Sequence, residues 1–183
     1  MTNALWYLAR GAGVVSLLLL TVVVVLGIGA RSGRSMFGLP RFGVSAVHRN
    51  ASLLAVSFIV VHIVTLLFDP YAQLRLVDVF VPFGGAYRPL WLGLGAVAFD
   101  LIVALVATSL LRHRIGLRAW RFVHWAAYAV WPVALLHGWF VGTDAPEVWL
   151  RALSVACVVA VACAAGWRLS DGFTERARWE RAR

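Results

Sequence analysis

"SAVHRNASLLAVSFIVVHIVTLLF" runs from Ser45 to Phe68; it is nearly all apolar, yet it carries His48 and His62. An ionisable side chain inside a membrane-type segment is costly and faces a partner or a functional path. The fold and the function both turn on what partners these two histidines.

The rest of the chain is of the same kind. It has 183 residues, 62% of them hydrophobic, with a mean hydropathy of +0.83. An ordinary soluble domain is about half apolar. The excess falls in runs, and a helix needs about 20 apolar residues to cross a bilayer. Five stretches qualify: Leu5–Gly29, Val44–Phe68, Leu90–Leu111, Ala119–Val141 and Val148–Trp167. Arg-, Pro- and Gly-containing joints separate them, such as "RSGRSMFGLPR" and "RHRIGLR". The expected fold is all-α, an integral membrane helix bundle of about five spans. Residues 1–168 form the transmembrane domain and 169–183 a charged cytoplasmic tail.

The net charge of +9 comes entirely from arginine, with no lysine. Its distribution reports orientation rather than nucleic-acid binding. Arg31, Arg34, Arg41 and Arg49 surround the first joint. Arg112, Arg114, Arg118 and Arg121 surround the third, and Arg168, Arg176, Arg178, Arg181 and Arg183 the tail. The second joint balances Arg75 and Arg88 with Asp69 and Asp78, and the fourth is acidic, with Asp144 and Glu147. By the positive-inside rule the N-terminus lies outside and the C-terminus in the cytoplasm. This describes a multi-pass protein of the cell membrane, in contact with lipid. Arg31 and Arg34 follow the first apolar run, opposite to the order of a signal peptide, so that run reads as a retained helix. Cys157 and Cys163 would lie about 9 Å apart along one helix. That is beyond the reach of a disulfide.

The partner pair lies in "AWRFVHWAAYAVWPVALLHGWF", where His124 and His137 are 13 residues apart. His48 and His62 are 14 apart. Spans two and four run in the same direction, so the levels match: His48 with His124 inside, His62 with His137 outside. A lone zinc or copper ion wants three or four protein ligands, and no Cys, Asp or Glu stands beside either pair. Haem iron needs only two axial ligands, so two stacked bis-histidine b-type haems satisfy all four residues. One angle is awkward: on an ideal helix a spacing of 14 leaves two residues within about 40°, but 13 leaves them about 140° apart. Pro132 lies between His124 and His137 and kinks a helix.

These spacings on alternate helices resemble the ferric reductase-like transmembrane domain over roughly Leu5 to Trp167. That superfamily includes ferric reductases, NADPH oxidases and the membrane haem subunit of the methionine sulfoxide reductase system. The resemblance implies that His48, His62, His124 and His137 ligate two haems carrying electrons across the membrane. Two departures stand out: five spans where six are common, and an end at Arg183 without the flavin and nicotinamide domain of larger members. "GAGVVS", Gly11–Ser16, lacks the third glycine of a dinucleotide fingerprint and sits in a span. The expected donor is therefore a cytoplasmic flavin reductase or a quinol. The acceptor is an extracytoplasmic one: ferric iron, oxygen or a partner redox protein. On this reading the chain is the membrane cytochrome b subunit of an oxidoreductase. The competing reading is a haem-free polytopic transporter with histidines along a polar path.

Arg49 and Arg121 adjoin the inner histidines and suit haem propionates, or act only as positive-inside anchors. Arg75 and Arg88 stand in the same relation to the outer pair. Asp100, central in the third span, serves a proton path or hydrogen-bonds Tyr128 or Ser57. Trp131 fills the space between the two levels or packs as an ordinary core residue. "LRLVDVFVPF" in the outer joint is apolar enough to lie in the interface and cover the outer haem.

Overall fold

The computed structural model describes residues 4–70, 72, 74–141 and 147–170, so most of the expected tail and Asp144 lie outside the described residues. The described residues form seven helices: α1 (Ala4–Ser32), α2 (Arg41–Leu67), α3 (Leu76–Phe80), α4 (Pro89–Leu110), α5 (Arg112–His124), α6 (Ala127–Val141) and α7 (Val148–Leu169). The described residues contain no strand, only an isolated bridge between Met36 and Leu39.

Four helices, α1, α2, α4 and α7, are long and apolar enough to cross a membrane. The shortest of them has 22 residues, about 33 Å at helical rise, against a hydrocarbon core of about 30 Å. The fourth expected span, Ala119–Val141, is divided. Its N-terminal part belongs to α5, and only the 15 residues of α6 form its apolar helix. The path of α5 itself breaks at Gly116, whose φ of 82° glycine alone adopts without strain.

Local chemistry sets the boundaries. Pro40 precedes α2 in an extended conformation, and Pro89 opens α4, where its missing N–H removes no helical bond. Gly33 and Gly38, both at positive φ, turn the chain between α1 and α2.

The two helices of this hairpin make the most extensive contact in the molecule. Helix α1 is central and also touches α6 and α7. Its buried face carries small residues, among them Ala9, Ala12, Ser16, Thr21 and Gly29, which allow close approach without help from the hydrophobic effect. The hydroxyls on these faces bond within their own helices: Ser16 donates to the carbonyl of Ala12, Thr21 to Leu17 and Thr65 to Val61. A hydrocarbon layer offers no water to do so.

On the other side α4 packs on α6, and α3 folds back onto α4 with the Phe80 ring 5.6 Å from that of Phe99. The apolar outer joint thus holds a short helix laid against the bundle. Arg75 forks onto Asp78 there, with bonds of 3.0 and 2.8 Å. That hydrogen bond holds the Asp78 carboxyl below the usual carboxylate range. One long tie crosses the bundle: the Trp131 indole N–H donates to Thr21 Oγ1 at 2.8 Å, joining α6 to α1.

Candidate functional site

Helix α2 carries His48 and His62, α5 ends on His124, and α6 carries His137. The rings of His62 and His137 face each other across the bundle, centres 6.5 Å apart and planes at 83°. His48 and His124 are close enough for the charge of one to act on the other. His62 and His137 thus lie ring to ring, and His48 lies on the same side of the bundle as His124.

Three of the four imidazoles are anchored on the same atom. His48 Nδ1 lies 3.0 Å from the carbonyl of Val23, His62 Nδ1 2.7 Å from that of Ala9, and His137 Nδ1 2.9 Å from that of Trp91. A carbonyl only accepts, so Nδ1 carries the proton in each. The neutral ring then keeps its lone pair on Nε2, the tautomer a metal-binding histidine needs. His124 differs: its Nδ1 is buried and has no hydrogen-bond partner among the described residues. Its ring stacks on Trp120, centres 4.8 Å apart.

A tightened turn, beside Pro132, takes up part of the angle left by the 13-residue spacing. Pro132 lies within α6. The helix gives way at Trp125–Ala126, where Ala126 bonds Val123, Tyr128 bonds Trp125 and Ala129 bonds Ala126. These are three-residue steps, and such turns advance about 120° per residue instead of 100°. Three over-wound steps at about 20° each recover about 60° of the roughly 140° and turn His124 toward the side of His137.

The arginines fall unevenly. Arg49 and Arg121 are exposed. Arg31 acts on His124 electrostatically and stands over the Trp125 ring at 5.3 Å. Arg168 also stands over Trp125, at 4.6 Å, and donates to the Tyr128 hydroxyl. This basic and aromatic group at the His124 end was not singled out from the sequence, because Arg31 and Arg168 are remote from the histidines along the chain. At the outer end Arg88 donates to the carbonyl of Phe140 at 2.6 Å, and Trp91 stacks on Phe140 at 3.9 Å. Asp100 bonds neither expected partner: Ser57 donates to Leu53, and Tyr128 accepts from Arg168.

Does this donor set suit a bare ion or a larger group? Among the described residues no cluster of three or more His, Cys, Asp or Glu is placed to hold a metal. Each pair thus offers two nitrogens and nothing more. Two imidazoles bound at about 2 Å on opposite sides of one ion would have ring centres roughly 6–6.5 Å apart, and His62 and His137 have that spacing. Helices α2 and α6, which carry these rings, pack on α1 and α4 rather than extensively on each other. A flat macrocycle that brings its own four equatorial nitrogens fits this arrangement.

The fold and the site define a class: a multi-pass membrane helix bundle with paired inward-facing histidines. A family model described as "Ferric reductase like transmembrane component" matches residues 12–135, two thirds of the chain, and the protein belongs to that family. The match includes His48, His62 and His124 and stops two residues short of His137. Nothing matches among curated proteins or among solved structures. Family membership points to electron transfer across a membrane.

Proposed function

We propose that this chain is the membrane electron-transfer subunit of an oxidoreductase, with His62 and His137 holding one haem b and His48 and His124 a second. The carrying observation is the anchored Nδ1 of three histidines, which leaves each Nε2 lone pair available for iron. A haem bound in this way supplies a one-electron carrier. The residues do the rest. The four imidazoles fix two levels about 20 Å apart along the helices. The apolar faces of α1, α2, α4 and α6 exclude water. Arg49 and Arg121, beside the inner histidines in sequence, and Arg31, beside His124 in space, supply positive charge for propionates at the inner level. The arginine-rich joints support a cytoplasmic position for that level. An electron enters there from a flavin reductase or a quinol and leaves outside to ferric iron, oxygen or a partner redox protein.

The test is the haem content and spectrum of the purified chain. Two haem b per chain are expected, low-spin in both oxidation states. The near-perpendicular planes of His62 and His137 predict a ferric signal with one unusually large g value. His62→Ala or His137→Ala should remove that signal and leave the other. A chain that binds no haem would refute the proposal and favour the haem-free transporter.

A further inference from the structure

Each anchored histidine lies against a glycine of the neighbouring helix, and the three contacts follow one rule. A Cβ on Gly13 would stand 3.1 Å from Nδ1 and Cε1 of His62. On Gly27 it would stand 3.2 Å from Cε1 of His48, and on Gly95 2.5 Å from Cε1 and 2.7 Å from Nδ1 of His137. The accepting carbonyls belong to Ala9, Val23 and Trp91. In every case the glycine is the fourth residue after the carbonyl: 9 and 13, 23 and 27, 91 and 95.

The rule has a physical cause. In an α-helix the carbonyl of residue i accepts from the N–H of residue i+4, and the side chains of i and i+4 lie on one face. A side chain at i+4 therefore stands where a ring must lie to reach that oxygen from outside. Glycine clears the approach, and the oxygen uses its second lone pair. Helix α1 repeats the unit after 14 residues, the interval that separates His48 from His62 on the antiparallel α2. Glycines elsewhere in these helices, such as Gly11 and Gly138, have open space where a Cβ would stand, whereas at these three places the imidazole occupies it.

We infer that Gly13, Gly27 and Gly95 are positioning residues for the axial ligands. They admit Nδ1–H to the backbone of the adjacent helix, which fixes the tautomer and aims Nε2 between the helices. This rests on the haem reading above. His124 has no such cradle, so the two sites are unequal. Both outer ligands are anchored by hydrogen bonds, whereas the inner site pairs one anchored ligand with one held by stacking on Trp120. A hydrogen bond from Nδ1 makes imidazole a stronger donor to iron, and a stronger donor favours the oxidised state. Breaking a cradle should raise the midpoint potential of its own site and leave the other unchanged.

The experiment uses the full chain in detergent, read by haem stoichiometry, ferric EPR and redox titration. Gly95→Ala forces the closest contact and should shift or abolish the outer signal and raise its midpoint. Gly13→Ala should change the same signal by less, and Gly27→Ala should change only the inner one. Gly13→Ala and Gly27→Ala ask their neighbours to give by a few tenths of an ångström, so they keep the test decisive if Gly95→Ala does not fold. Gly11→Ala, Gly138→Ala and Gly166→Ala are controls, since a Cβ at these positions meets nothing within 4 Å. Their spectra should superimpose on the wild type, even for Gly138, next to His137. Two haems with wild-type signals and midpoints in all three cradle variants would overturn the inference while leaving the haem assignment intact. Controls that shift as much as the cradle variants would overturn it equally. A wild-type chain without haem would instead remove the reading beneath it.

Discussion

Replacing Thr21 by valine tests the packing of the bundle independently of any cofactor. Thr21 is 6% exposed and Trp131 7%, and the indole N–H donates to the threonine hydroxyl at 2.8 Å. Valine keeps the volume and removes the acceptor. The hydroxyl's own bond to Leu17 is lost as well, but that carbonyl retains its helical partner. The main cost is therefore an indole N–H with nothing to bond. An unsatisfied buried donor costs about 1–3 kcal/mol, but hydrogen bonds between helices in a membrane average about 0.6 kcal/mol and reach about 1.7. The lower range governs here, because a chain unfolded within the membrane also finds partners. A coupling of about 1 kcal/mol is expected, roughly fivefold in the unfolding equilibrium at 25 °C. A double-mutant cycle of Thr21→Val and Trp131→Phe, followed by reversible unfolding in mixed micelles, measures it. Thr21→Ser retains an acceptor and should lose much less than Thr21→Val. Strict additivity of the two substitutions, or a serine variant as unstable as the valine one, would refute the reasoning.

Three further outcomes follow from other parts of the molecule. A reporter active only in the cytoplasm should work when fused after Arg183 and fail when inserted beside Asp78; the reverse would invert the inner and outer levels. The Asp78 carboxyl lies below its ordinary range because Arg75 hydrogen-bonds it. The ordering it gives the outer joint is thus complete above the unfolded value near pH 4 and disappears as pH falls through the depressed folded one. Hydrogen exchange at the Arg75 amide, which donates to Asp78, should show loss of protection on that acid side, and Asp78→Asn should abolish the pH dependence. Finally, dithionite should reduce both haems of the 183-residue chain, while NADPH alone should not until a flavin reductase or quinol is added. Rapid reduction by NADPH in a flavin-free preparation would contradict the proposed donor.

The long helices were legible because a hydrocarbon layer demands uninterrupted apolar runs, and α1, α2, α4 and α7 have them. The facing of His62 and His137 was legible because the nearly equal spacings, 14 and 13, put the histidines of spans two and four at like levels. The division of the fourth span was not, since Trp125 and Ala126 carry no Gly or Pro to mark a break, and the one proline of the span, Pro132, lies further on, inside α6. The anchors were hidden for a different reason. The carbonyls of Ala9, Val23 and Trp91 are backbone atoms, which any residue supplies. Only the 14-residue interval between Gly13 and Gly27 hinted at them. The positions of Arg31 and Arg168 depend on which helices pack side by side, and no local pattern encodes that.

The shortness of α6 sets the two levels in different surroundings. Its 15 residues cover about 22 Å of a hydrocarbon layer about 30 Å thick. The remainder is made up by the tightened turn and by α5, which has no buried residue and carries Arg112, Arg114, Arg118 and Arg121. Guanidinium groups draw water and lipid headgroups inward, thinning the bilayer locally. His124, the last residue of α5, thus adjoins an exposed, arginine-bearing helix, whereas His62 and His137 are held on backbone carbonyls of α1 and α4. On the haem reading proposed above, the site at His124 would adjust to each change of charge through the solvent and headgroups near α5, while the site at His62 and His137 would be set in advance by the backbone.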